Sequence, residues 1–278
     1  MVGLKRHLAR AALAGTAATL LVGALGGAAR ASTVTVGSPL TATFAQTPFA
    51  ADTTVTNFVL PTPANATSPS DGTVISWRFI GTGGNFIPRV IHPTAGTSHT
   101  GSGTGAGMPG AAPPAISGPF PTSLPIKQGD RFGVDVPNGG SLGTAATAGA
   151  TYLTWAPPLV NGAAGRAPTS SVAEEAAVSA TVRFCKVPNL KGLSGQAARQ
   201  QLVAADCTIG TISKSRKQLP TKQVLKQSVK ANSSIADTAP VGFTISSKLK
   251  PRAKPHNKCK KIRSKKKRKR CNKKRRHH

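Results

Sequence analysis

Between residues 32 and 183 glycine and proline cut the chain into short runs, and this spacing limits the fold more than any other feature. The runs are rich in β-branched and aromatic residues: VTNFVL (55–60), GTVISWRFI (72–80), NFIPRVI (85–91), LPI (124–126), RFGVDV (131–136), ATYLTW (150–155) and AVSATV (177–182). None is long enough for an amphipathic helix, and several alternate between apolar and polar residues as a half-buried strand does. Many short strands punctuated by turn residues predict a β-sandwich or jelly-roll. Pro88 and Pro125 would sit on edge strands or at bulges, because proline has no N–H for a ladder. Residues 94–119, TAGTSHTGSGTGAGMPGAAPPAISGP, have little apolar surface to bury and are expected to form a long mobile loop. That loop could cover a ligand or simply vary on the surface, and His99 falls within it.

The charges are segregated. Residues 32–183 carry six basic and six acidic side chains, a sum of zero. Residues 184–247 carry nine basic and two acidic, hence +7, and residues 248–278 carry eighteen basic and none acidic, hence +18. A polyanionic partner is therefore expected for the C-terminal third alone.

The N-terminus reads as a secretory signal peptide over residues 1–31. Lys5, Arg6 and Arg10 precede an apolar run of small residues, and Ala29-Arg30-Ala31 has the small-x-small form of a cleavage site. The run is short for a transmembrane helix and lacks a stop-transfer flank. The chain after Ala31 is expected to be extracellular or cell-wall associated, so its cysteines would meet oxidising conditions.

Residues 32–183 offer little for catalysis. No Gly-x-Ser-x-Gly elbow, His-Glu-x-x-His pair or phosphate-binding glycine loop is present. Asp130 and Asp135 lie five apart, which on one strand places them on opposite faces, so they do not read as an acid/base pair. Glu174 and Glu175 read as solvated. The segment KQGDRFG (127–133) reads as a turn into a strand. It resembles a segment common in secreted actinobacterial β-sandwich domains, with Asp130 capping its own turn or binding a ligand.

From residue 184 the pattern changes to β-α-β-β. Residues 184–187 form a short strand ending at Pro188, and Ser194 is a helix N-cap. Ala197, Ala198, Leu202 and Ala205 give a narrow apolar helical face. Strands follow at 207–212, 224–228 and 241–247. Val187-Pro188, Leu190, Gly192, Ala198, Leu202, Gly210, Pro220, Val224, Gln227, Ile235, Val241 and Ser246, in this order, resemble the PASTA domain of penicillin-binding proteins and bacterial Ser/Thr kinases. The resemblance implies a module at 184–247 that binds peptidoglycan fragments or muropeptides, or serves as a spacer, without catalysis. The chain departs from the family pattern with Lys222, Asn232 and Thr238 where glycine is usual and Val229 where proline is usual. Asn232 can still take a positive φ, whereas Lys222 and Thr238 do so with difficulty, so their turns must differ.

In such a crossover Cys185 and Cys207 flank the first strand and the helix, and their strand ends come together. A disulfide there would stabilise a thinly cored unit by roughly 3 kcal/mol in the chain-entropy model. Free thiols, a metal site and a nucleophile are the alternatives, and the domain has no further ligands nearby for a metal.

Residues 248–278 are too polar to fold alone. Lys260, Lys261, Arg263, Lys265, Lys266, Lys267, Arg268, Lys269, Arg270, Lys273, Lys274, Arg275 and Arg276 form a polyanion-binding run. No aromatic side chain interleaves them to stack on bases, so no specific nucleic acid is expected. Teichoic acids and similar anionic polymers are the expected partners. Cys259 and Cys271 could close a second disulfide or pair between molecules. His256, Cys259, Cys271 and His277 form a superficial zinc set, but the cationic segment between them would repel a metal. No cofactor or metal is expected.

Together these features describe a non-catalytic, mainly β, secreted envelope protein: a sandwich, a PASTA-like module and a disordered polycationic tail. The alternatives are a secreted enzyme or carbohydrate-binding protein with its site in the sandwich, and a general polyanion or nucleic-acid binder.

Overall fold

A computed structural model describes residues 32–111 and 113–249, and Lys267. The signal peptide expected over residues 1–31 and the pairing expected of Cys259 and Cys271 lie outside the described residues, as does the expected tail apart from Lys248, Leu249 and Lys267.

The chain opens with β1 (Ser32–Gly37), β2 (Ala45–Pro48), β3 (Thr53–Val59), β4 (Gly72–Phe79), β5 (Gly81–Thr82) and β6 (Asn85–Pro93). It continues with β7 (His99–Thr104), β8 (Met108–Pro109), β9 (Ser117–Ile126), β10 (Arg131–Val136), β11 (Ser141–Ala145) and β12 (Thr151–Trp155). Next come β13 (Ser170–Val172), β14 (Glu175–Ala176), β15 (Val178–Lys186) and α1 (Gly195–Ala204). The described part closes with β16 (Ile209–Leu219), β17 (Val224–Gln227), β18 (Ser234–Ala236) and β19 (Val241–Lys248).

The first fifteen strands build a sandwich. One sheet has the order β1-β15-β4-β9, and the facing sheet has the order β13-β12-β3-β10-β6-β7, with β8 also on β6. A small sheet, β14-β11-β2 with β5, completes the unit. Alternation along the strands sends one side of each sheet into a common core. Val36, Val74, Trp77, Phe79, Val178 and Val182 meet Val55, Phe86, Val90, Phe132 and Val134 there. Trp77 and Phe79 stack with ring centroids 5.2 Å apart. The other face of the second sheet buries Ile91, Leu153, Trp155 and Leu159 in a smaller cluster.

Three expectations are corrected. Residues 94–119 do not form one long loop but carry β7, β8 and the start of β9. His99 is accordingly buried, at 3% exposure, with its ring edge-on to Trp155. In β7 Gly101 reflects close packing: a Cβ there would lie 2.7 Å from Asn161 Oδ1 and 2.8 Å from Arg89 Nη1. Pro125 is on the edge strand β9 as expected, but Pro88 is in the interior strand β6, between the segments that pair with β7 and β8. Glu175 is buried at 2% exposure, because its carboxylate accepts hydrogen bonds from Ser38 Oγ (2.5 Å) and Thr147 Oγ1 (2.8 Å).

The second unit begins inside the last strand of the first. β15 pairs with β1 and β4 over residues 178–184, and its last three residues pair with β18. Across this junction the buried carboxylate of Asp237 accepts hydrogen bonds from Thr73 Oγ1 (2.6 Å) and Arg183 Nε (2.9 Å). The remainder is a three-stranded sheet, β16-β19-β17, in which β16 runs parallel and β17 antiparallel to β19. Helix α1 starts where Ser194 Oγ accepts the Ala197 N–H (3.1 Å) and buries Ala198 and Leu202 against the sheet. The core is small: Val187, Leu190, Leu202, Val224, Val241 and Phe243 with the Cys185–Cys207 disulfide, whose Cα atoms are 4.9 Å apart. Among the described residues no helix is long and apolar enough to cross a membrane.

Candidate functional site

The open face of the β16-β19-β17 sheet holds a shallow groove of about 590 Å³. Strand register fixes what lines it. Ser213 pairs with Thr244, and Thr244 pairs with Lys226, so two hydroxyls and an ammonium stand in one row across the sheet. Ser213 and Thr244 share a hydrogen bond of 2.8 Å. Thr211 and Ser228 extend the row's polar surroundings. Lys226 is exposed, as are Lys214, Arg216 and Lys217 on the edge strand β16. Of the two acidic residues in this unit, Asp237 is buried against Arg183 and only Asp206 is exposed. The surface of the unit is thus more uniformly cationic than its formal charge suggests.

The residues that carried the family resemblance are mostly architectural. Val187, Leu190, Ala198, Leu202, Val224 and Val241 are core. Gln227 Oε1 accepts the Leu190 N–H (2.9 Å), while its Nε2 donates to the carbonyls of Pro188 (3.2 Å) and Val229 (2.8 Å). Ser246 Oγ accepts the Gln223 N–H at 3.0 Å. Gly192 takes φ +85° and Asn232 φ +66°, while Lys222 and Thr238 are not among the residues at positive φ, so those two turns differ as expected.

Residues 186–247 match the family model of the PASTA domain. This unit is a PASTA domain. No curated protein and no solved structure matches the chain. PASTA domains bind peptidoglycan-type ligands, are not catalytic, and are typical of cell-envelope proteins. The matched residues set the fold of this one, whereas the groove's Thr211, Ser213, Lys226 and Thr244 are open to solvent or partly so.

The polar residues of the sandwich occupy separate places. Asp130 Oδ2 accepts the Lys127 N–H (3.0 Å), capping its own turn, and Oδ1 meets His92 Nδ1 (2.5 Å). Asp135 pairs with Arg89 through two guanidinium nitrogens and accepts Thr54 Oγ1 (2.5 Å), all buried. Asp130 and Asp135 are therefore not brought together. Arg131 lies over the Phe58 ring (4.4 Å) and donates to the Phe58 carbonyl (2.6 Å). Burial lowers its pKa to about 10, and its Nε has no hydrogen-bond partner among the described residues. Burial also lowers the pKa of His99, with the Arg131 and His92 charges adding to the effect. No group of three or more His, Cys, Asp or Glu side chains placed to hold a metal occurs among the described residues.

Sequence reasoning missed the Ser213–Thr244–Lys226 row because it depends on a parallel pairing between strands about thirty residues apart. It missed the Arg89–Asp135 and Arg183–Asp237 pairs because they form between antiparallel strands, or beside one, at sequence separations of 46 and 54 residues. The signal available was the type of residue alone: a charged side chain inside a strand run.

Proposed function

We propose that the protein is an exported, non-catalytic component of the bacterial cell envelope. Its PASTA domain contacts peptidoglycan through the open sheet face, and its basic tail adheres to teichoic acids or similar anionic wall polymers. The observation that carries this reading is the PASTA match at 186–247, directly followed by a segment with eighteen basic and no acidic residues. The two parts suit different chemistries. A hydroxyl–hydroxyl–ammonium row offers donors and acceptors to the amides, hydroxyls and carboxylates of a muropeptide. A polycation binds any phosphate-rich polymer by charge neutralisation and counterion release, with strong salt dependence. The apolar run and small-x-small site in residues 1–31 support export.

The test is a titration of soluble muropeptides into the isotope-labelled chain in about 0.15 M salt, followed by amide and side-chain shifts. Saturable shifts at Thr211, Ser213, Lys226 and Thr244 are expected. Shifts nowhere in the PASTA domain would remove peptidoglycan recognition from the account. N-terminal sequencing of the protein recovered from its native host is expected to begin near Ser32.

A further inference from the structure

We propose that a cleft on the sandwich, on the outer face of the β1-β15-β4-β9 sheet, binds a carboxylate-bearing saccharide, with Arg78 as the contact for the carboxylate. This site is separate from the PASTA groove and stands or falls independently of the function proposed above. The cleft has a volume of about 640 Å³, within the range of small-molecule sites.

Strand register sets its floor. Val36, Ala180 and Trp77 lie side by side with their side chains in the core. Their neighbours therefore face out: Thr35 beside Thr181 in one row, and Gly37 beside Ser179 and Arg78 in the next. A Cβ at Gly37 would collide with the Val178 carbonyl, so the floor is open at that point. Arg78 is exposed and has no carboxylate partner among the described residues. The hydroxyls of Thr35, Ser179 and Thr181 also make no hydrogen bond within the described protein. A cleft floored by one free guanidinium and three free hydroxyls suits a ligand that supplies one anionic group and several hydroxyls.

The walls are held in place before any ligand arrives. Ser38 Oγ donates to the buried Glu175 and accepts the Leu40 N–H (2.9 Å), which holds Leu40 at φ +58°, a conformation that is unusual for leucine. Opposite, Asn65 accepts the Gly37 N–H at its carbonyl (2.8 Å) and donates its side-chain amide to the Thr35 carbonyl (3.2 Å). Pro39, Leu40, Pro61, Pro63 and the exposed Ile116 give the rim its apolar character, suited to the CH faces of a sugar ring. Preformed walls reduce the ordering cost of binding.

Charge decides the class of anion. Glu175 also lines the cleft, but it is 2% exposed and each of its oxygens already accepts a hydroxyl. Among the described residues the one cation at the floor is Arg78, whose planar fork matches the two oxygens of a carboxylate. A dianionic phosphate would find a single cation opposed by Glu175, so the geometry favours a monoanion.

The test uses the labelled chain with its tail present, in about 0.15 M salt to suppress non-specific attraction. Glucuronate is the probe and glucose its neutral match. Saturable shifts at Thr35, Arg78 and Thr181 are expected with glucuronate, with glucose at least tenfold weaker. Arg78→Gln, a change at an exposed position, is expected to weaken glucuronate at least tenfold. Thr181→Val, which keeps the shape but removes a hydroxyl, should weaken it severalfold. Shifts confined to the PASTA domain and tail, equal binding of the two sugars, or an Arg78→Gln chain that binds normally would each overturn the proposal.

Discussion

The sandwich and the PASTA domain solve the problem of stability in different ways. The sandwich closes on a large aromatic and aliphatic core and seals buried carboxylates with partners of its own, as Arg89 and Thr54 do for Asp135. Its formal charge sums to zero. The PASTA domain has a core of ten buried residues, two of them the bonded cysteines. It also takes its first strand from the sandwich's β15 and sets Asp237 onto the sandwich's Thr73 and Arg183. A small domain can carry a strongly cationic surface if covalent and neighbouring supports replace the core it lacks. The sharing of one strand also means the two domains are joined by a ladder and not by a free linker.

Four experiments probe this contrast, in order of expected effect. Arg89→Ala leaves Asp135 buried with only Thr54 and should destabilise the sandwich by about 3–5 kcal/mol in denaturant unfolding. An unchanged midpoint would mean the pair is not a support. Replacing both Cys185 and Cys207 by alanine should cost the PASTA domain about 3 kcal/mol and let it melt before the sandwich. Simultaneous melting of an undiminished protein would contradict the need for the staple. Asp237→Ala removes the partner of Thr73 and Arg183 and should cost about 1–3 kcal/mol. It should also split one calorimetric transition into two, whereas a single transition would show that the shared strand alone couples the domains.

The smallest effect concerns pH. Burial holds the His99 pKa in the folded protein below its ordinary value of 6.5. Below that pH the unfolded chain takes up a proton that the folded chain refuses, so stability should fall as the pH drops through this window. His99→Phe should flatten this slope in thermal melts between pH 7 and 5. An equal slope in the variant would assign the acid sensitivity to other groups.

The same contrast explains what could be read from sequence. The helix of the PASTA domain was legible because Ser194, Ala198 and Leu202 act locally, over three or four residues. The cysteine pairing was legible once the β-α-β order was recognised. The strands of residues 72–80 and 131–136 were legible from their own side chains. By contrast, β7 is HTGSGT, and its stability comes from the backbone ladder with β6 and from close packing that excludes side chains at Gly101. Composition alone makes such a strand look like a loop. Likewise β18 has three residues and exists because β15 offers an edge beyond the end of β4. Glu175 looked solvated because its partners, Ser38 and Thr147, are distant in sequence.

The measurement that tests the account most directly is sedimentation with insoluble peptidoglycan across a salt series. It compares residues 32–278 with residues 32–249, on walls with and without teichoic acid. The account predicts that the longer chain binds teichoic-acid-bearing walls with a steep loss of affinity as salt rises, and that removing residues 250–278 flattens this dependence. The shorter chain should still bind stripped peptidoglycan at high salt through the PASTA domain. If the shorter chain binds stripped peptidoglycan at no salt concentration, the PASTA domain is a spacer and the proposed division of labour is wrong.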